Sequence, residues 1–177
     1  MDDITYQPIE RKTIYKGKRV DLEQVTYYTG DKIIKREHVL SPEAVVILAL
    51  DDEKKVIMVK EMRTAIGKNI LGLPAGLIEE KEEAKQAALR ELEEETGYQA
   101  EEIKYLRSYY SSVGFTNEKL HLFLATQLTK RKQQLDEEEQ IQVEKIPLEE
   151  LKKMLDQKEI VTASALICLM HYFLYEN

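Results

Sequence analysis

The chain has 177 residues, and its 43% apolar content suits a single main domain with a sizeable core. A formal charge of −7 and the lack of a long basic stripe argue against nonspecific nucleic-acid binding. There is no 18-residue apolar run, and the opening MDDITYQPIE is polar and acidic, so neither a membrane span nor an export signal is indicated and a cytoplasmic protein is expected.

In chain order, KTIYKGKRVDLEQVTYY and KIIKREHVL are β-rich runs separated by the turn signal Thr29-Gly30-Asp31. They predict a β-hairpin extension over residues 1–41, ahead of a main domain over 42–177. Ser41-Pro42 then breaks the chain before AVVILAL, a continuous apolar run that fits a buried strand, and Asp51-Asp52 turns it into KVIMVKEMR. A loop at Gly67-Lys68 leads to NILGLPAG, where Pro74 ends pairing and Gly76 suits a tight turn into a helix. Beyond Gly97, IKYLRSYY and KLHLFLATQL read as strands flanking the loop SSVGFTNE, with QIQVEKIP as the last strand. Pro147 opens a helix with Leu148, Leu151, Met154 and Leu155 on one side. The final helix, from about Thr162 to Tyr175, is apolar almost all round, so burial between layers or against a partner subunit is expected. The acidic run Asp136 to Glu139 reads as a solvated loop, Cys168 as a small core residue, and His38, His121 and His171 as packing or surface residues without metal-ligand spacing.

The stretch Ala84 to Glu95 is rich in strong helix formers and is followed by Gly97, a natural stop. At about 100° per residue, Ala84, Ala87, Ala88 and Leu92 share one face, and Glu91 and Glu95 fall in the same arc with Glu94 at its edge. Gln86, Arg90 and Glu93 point towards solvent on this wheel. Carboxylates clustered beside an apolar surface repel one another and lose hydration unless a cation sits among them. Oxygen ligands of this kind suit Mg²⁺ or Mn²⁺ rather than zinc; the alternative is a solvated acidic helix.

The spacing from Gly76 to Tyr98 resembles the Nudix box, with Gly76, Glu82, Arg90, Glu91, Leu92, Glu94, Glu95, Gly97 and Tyr98 filling every specified position. The order of elements is similar to the Nudix fold, an α/β/α sandwich around a mixed β-sheet, and the β-rich N-terminal extension resembles that of the ADP-ribose pyrophosphatase branch. In that branch the extension exchanges between subunits, so the resemblance implies a homodimer with shared active sites. It also implies a Mg²⁺-dependent enzyme (Mn²⁺ as the alternative) acting on a small nucleotide, with no nucleic-acid or membrane partner.

Carried over residue by residue, the resemblance makes Glu91, Glu94 and Glu95 metal-binding carboxylates, with Glu94 and Glu95 serving catalysis, and makes Ala75 the backbone carbonyl of the metal shell. Glu82 and Arg90 become an internal ion pair. Arg63 matches an arginine that contacts substrate phosphate, the alternative being a surface cation at a strand end. Glu118 matches a loop glutamate that is a general base or extra metal ligand. Phe115 is a candidate for lining the pocket or for packing in the core. Tyr27 and Tyr28 are candidates for stacking a nucleobase across a dimer, and Arg36 for contacting the terminal ribose or phosphate.

Three departures from the branch bear on selectivity: Val113 replaces a common proline, Gly72 stands where glutamate is frequent, and VTASA replaces an Asp-x-Lys-Thr type segment. The expected reaction is hydrolysis of ADP-ribose or a related nucleoside diphosphate sugar. The alternatives are an oxidised nucleoside diphosphate or coenzyme as substrate, or a non-catalytic module that senses ADP-ribose.

Overall fold

The computed structural model describes residues 5–135 and 137–176, in two compact units. The first runs up to Glu43 and includes Tyr110–Lys119; the second takes Ala44–Tyr109 and the chain from Leu120 onward.

The first unit holds an antiparallel sheet of β1 (Gln7–Lys16), β2 (Asp21–Tyr28) and β3 (Ile33–Leu40), in that order. It has three strands rather than the expected hairpin because the run from Lys12 to Tyr28 folds back on itself. Gly17 N–H donates to Val20 O at 3.1 Å and to Asp21 Oδ1 at 3.2 Å, closing a turn that the continuous β-rich pattern conceals. Glu23 is nearly buried and is held by Arg11 at 2.6 Å, with the His38 imidazole 3.5 Å away. The segment Ser111–Glu118 is pinned to the end of β3, where Val39 N–H donates to Phe115 O at 2.8 Å and Ser41 N–H to Asn117 Oδ1 at 2.9 Å.

The second unit is built on β4 (Ala44–Leu50), the AVVILAL run. Its sheet has the order β10 (Ile141–Pro147), β5 (Lys55–Arg63), β4, β9 (Lys119–Lys130), β8 (Tyr98–Tyr110), with β6 (Lys68–Gly72) on β5 and β7 (Ala75–Leu77) on β4. β4 runs parallel to β9 and antiparallel to β5 and β7, so the sheet is mixed. A strand covered on both sides has no use for polar alternation, which explains the unbroken apolar run. Val45, Ile47 and Ala49 face α1 (Ala84–Thr96), while Val46 and Leu48 face α2 (Leu148–Asp156) and α3 (Ala163–Tyr175). The layering is therefore α/β/α, as the sequence leads one to expect.

Gly97 closes α1 in the left-handed conformation at φ 67°, and Pro147 sits just before the first residue of α2 rather than in it. In α3, Ala165, Cys168, Leu169 and Tyr172 are buried, whereas Met170, Leu174 and Tyr175 are exposed in the single chain. The helix packs one face only, a division that its uniform hydrophobicity hides. Among the described residues no helix is long and apolar enough to cross a membrane. Asp136 lies outside the described residues; Glu137 and Glu138 are exposed, whereas Glu139 is partly buried.

Candidate active site

β7 lies against β4, with Gly76 opposite Val45 and Ala75 opposite Val46, which sets the PAG backbone beneath the C-terminal half of α1. Glu95 is only 4% exposed, and its Oε2 accepts from Ala75 N–H at 3.0 Å. Glu91 approaches Gly76 so closely that a Cβ there would stand 2.0–2.2 Å from its carboxylate atoms. Gly76 is thus a strand residue needed for close approach, not the tight turn expected from sequence, and its φ is not positive.

Arg90 ties the motif together. Its Nε and Nη2 donate to the two oxygens of Glu82, each at 2.9 Å, and Nη2 also reaches Leu77 O at 3.0 Å. Its Nη1 donates to Glu91 Oε1 at 2.8 Å and Glu94 Oε2 at 3.0 Å. The wheel placed Arg90 in solvent, but a long side chain at the helix edge folds back wherever carboxylates offer it a fork. Glu82 also receives Glu79 N–H at 3.0 Å, closing the loop onto the helix. The Arg90 hydrogen bond holds Glu82 below the usual carboxylate range, and the Glu82 hydrogen bond in turn raises Arg90.

The deeper carboxylates shift the other way. Burial pushes Glu95 up to about 8 against the Ala75 N–H, with the charges of Glu91, Glu61 and Glu139 adding to the rise. Burial also raises Glu91, where Arg90 opposes and Glu94 and Glu139 assist. Glu61 and Glu139 were not singled out from the sequence. Glu61 lies on the same face of β5 as Ile57, which packs towards α1, and opposite Ile141 of β10, two residues after Glu139. The segment leading to Glu139 is fastened to the end of α1: Arg131 N–H donates to Gly97 O at 2.7 Å, Gln134 N–H to Glu94 O at 2.9 Å and Gln133 Nε2 to Glu95 O at 2.6 Å. A Cβ on Gly97 would meet Gln133 N at 2.8 Å, so this glycine serves the docking as well as the helix stop. Alternation along β5 was the available signal for Glu61; Glu139 had none, because its placement depends on contacts across some forty residues.

Buried carboxylates whose mutual repulsion is incompletely offset, with oxygen as the only donor type, fit a hard divalent cation. Among the described residues, no three carboxylate, thiol or imidazole groups already stand together as a metal-ligand set. Arg90 instead engages Glu91 and Glu94.

Ala75, Glu91, Glu94, Glu95 and Arg63 all belong to the second unit. Arg63 ends β5 and pairs with Glu61. Glu118, Phe115, Tyr28 and Arg36 belong to the first unit. Glu118 is partly buried, its carbonyl accepting Ser111 N–H at 3.0 Å, and Phe115 is half exposed, which disfavours core packing for its ring. Tyr28 O–H donates to Gly30 O at 2.5 Å, and Arg36 Nη1 donates to Lys35 O at 2.9 Å. Tyr27 packs edge-on against Tyr6, with ring centroids 6.0 Å apart.

The NUDIX domain family matches residues 40–165, well over half the chain. The chain belongs to the Nudix family. This Nudix chain is 39% identical over 180 residues to the ADP-ribose pyrophosphatase of Bacillus subtilis (strain 168), covering 99% of this chain and 97% of that one. It is 36% identical over 172 residues to a methanol dehydrogenase activator of Bacillus methanolicus, covering 95% and 92%. A solved structure described as an ADP compounds hydrolase superposes with a TM-score of 0.88 over 99% of this chain and 96% of its own, at 22% identity, a likeness of Nudix fold.

Proposed function

We infer that this Nudix hydrolase cleaves the diphosphate of ADP-ribose or a related nucleoside diphosphate sugar, giving AMP and ribose 5-phosphate from ADP-ribose. The observation that carries the reading is the pair Glu91 and Glu95, one laid on Gly76 and the other bonded to Ala75, in a site whose carboxylates call for a cation. The likeness to ADP-ribose pyrophosphatase along nearly the whole chain supports the substrate class.

In this reading Glu91, Glu94, Glu95 and the Ala75 carbonyl hold Mg²⁺, with Mn²⁺ as its substitute. A divalent ion bound there supplies charge neutralisation for the diphosphate and a more acidic water. Arg90 keeps Glu91 and Glu94 together, and Glu82 keeps Arg90 in place. Arg63 turns from Glu61 to the substrate phosphate, a task suited to a guanidinium. Glu118 and Glu139 are the two candidates for taking the proton of the attacking water, the second because its charge bears on Glu91 and Glu95. Tyr28, Arg36 and Phe115 contact the nucleoside or the terminal ribose. The protein works as a cytoplasmic homodimer through its N-terminal extension, where every residue of β1 is exposed.

A panel of ADP-ribose, other nucleoside diphosphate sugars, oxidised nucleoside diphosphates and coenzymes tests the substrate. The highest kcat/KM should fall on ADP-ribose, and a strong preference for a coenzyme or an oxidised nucleotide would replace the reading. The likeness to a dehydrogenase activator favours a second reading, in which the chain acts on an enzyme partner. That reading gains if the whole panel is bound and none of it is cleaved.

A further inference from the structure

On the sheet face that packs against α1, β4 and β9 present Val45, Ile47, Ala49, Phe123 and Ala125, all buried and apolar. His121 interrupts this series. It pairs in register with Val45, which pairs on its other side with Gly76, the glycine beneath Glu91. In-register neighbours point to the same face, so His121 lies two strand spacings, about 10 Å, from the Gly76 backbone on the carboxylate side of the sheet.

The imidazole is not simply packed. His121 Nδ1 lies 2.8 Å from Ser108 Oγ, which lies 2.8 Å from the hydroxyl of Tyr105. Tyr105 is 53% exposed, with its ring edge-on against Phe123 at 5.7 Å. A polar chain thus runs from solvent across an apolar face to the row of the site. Few convergent polar groups on an apolar wall are what fixes the orientation of a small ligand.

We propose that Tyr105, Ser108 and His121 form a substrate-binding subsite that takes the phosphosugar half of the substrate while the α1 carboxylates serve the diphosphate. Two hydroxyls and an imidazole match the hydroxyls and phosphate of a sugar phosphate, each able to donate or accept. The subsite rests on the reading of the chain as a hydrolase of nucleoside diphosphate sugars.

The test is an NMR titration of the full-length protein with Mg²⁺, using ribose 5-phosphate and separately AMP, on wild type, His121→Gln, Ser108→Ala and Tyr105→Phe. The first two substitutions should weaken ribose 5-phosphate about tenfold and change AMP less than about twofold, the scale of one hydrogen bond to a charged group. Tyr105→Phe keeps the ring on Phe123 and gives a folded variant should His121→Gln misfold; a loss of about threefold, again selective for ribose 5-phosphate, is expected. Unchanged ribose 5-phosphate affinity, or equal losses for both ligands, overturns the subsite. Turnover of ADP-ribose by the wild type is measured alongside. A selective loss without turnover refutes ADP-ribose as the substrate and leaves the ribose 5-phosphate contact standing, whereas turnover with unaltered ribose 5-phosphate binding refutes the subsite alone.

Discussion

Replacing Gly76 with alanine tests the link between the PAG backbone and the carboxylates with a single methyl group. The new Cβ would stand 2.0–2.2 Å from the Glu91 carboxylate, where carbon contacts are normally about 3.5 Å, so that carboxylate must retreat by more than about 1 Å. The obstacle is the end of a flexible side chain, and the backbone φ suits alanine, so stability should change by no more than about 1 kcal/mol. Function should not be spared. A displacement of this size in a positioning group costs about 100-fold, which corresponds to about 2.7 kcal/mol of transition-state stabilisation. The assay is kcat/KM at several metal concentrations beside a thermal melt, with Gly72→Ala as a control because a Cβ there meets nothing within 4 Å. Wild-type kcat/KM in a folded Gly76→Ala protein would refute the claim that Glu91 works from its seat on Gly76.

Glu95→Gln should abolish turnover while the metal-free protein melts no lower than wild type, since burial already favours the neutral form of this carboxyl; an active, metal-dependent variant would contradict the ligand role. Arg90→Lys should cost about 2 kcal/mol by denaturant titration and slow the reaction, because an ammonium cannot span Glu82, Glu91 and Glu94 as the fork does; an unchanged midpoint would show the network to be incidental. Glu139→Gln should lower kcat about 100-fold or more, and Glu118→Gln less; the reverse order would return the base to Glu118. Burial pushes the Cys168 thiol up to about 12, so the folded state keeps its proton and stability falls as pH rises from the ordinary value of 9.0 towards 12. At pH 8 a thiol reagent should leave Cys168 untouched until denaturant is added, and rapid native labelling would disprove its burial.

What could be read from the sequence was local. The box spacing placed Glu91, Glu94 and Glu95 on one arc of α1 because helix geometry fixes neighbours three and four residues apart. The strands of the main sheet were visible because AVVILAL and KVIMVKEMR carry burial in their composition. What escaped depended on chain segments far apart or on where a flexible side chain comes to rest. Glu139 reaches the site through the docking of residues 131–134 on Gly97, Glu94 and Glu95, which no local pattern encodes. Arg90 leaves the solvent face of the wheel because Glu82 and Leu77 O wait outside the helix. Gly76 invited a turn by its type alone, whereas its reason lies in Glu91, fifteen residues on. His121 looked unremarkable until the β4–β9 register set it in the row of Gly76.

The most direct measurement is chromatographic product analysis after incubating the purified protein with ADP-ribose and Mg²⁺, with a chelated control. AMP and ribose 5-phosphate should appear in equal amounts with metal and vanish with the chelator. Intact ADP-ribose in both samples would contradict ADP-ribose as the substrate, and products that form equally well in the chelator would contradict the metal-binding role of the α1 carboxylates.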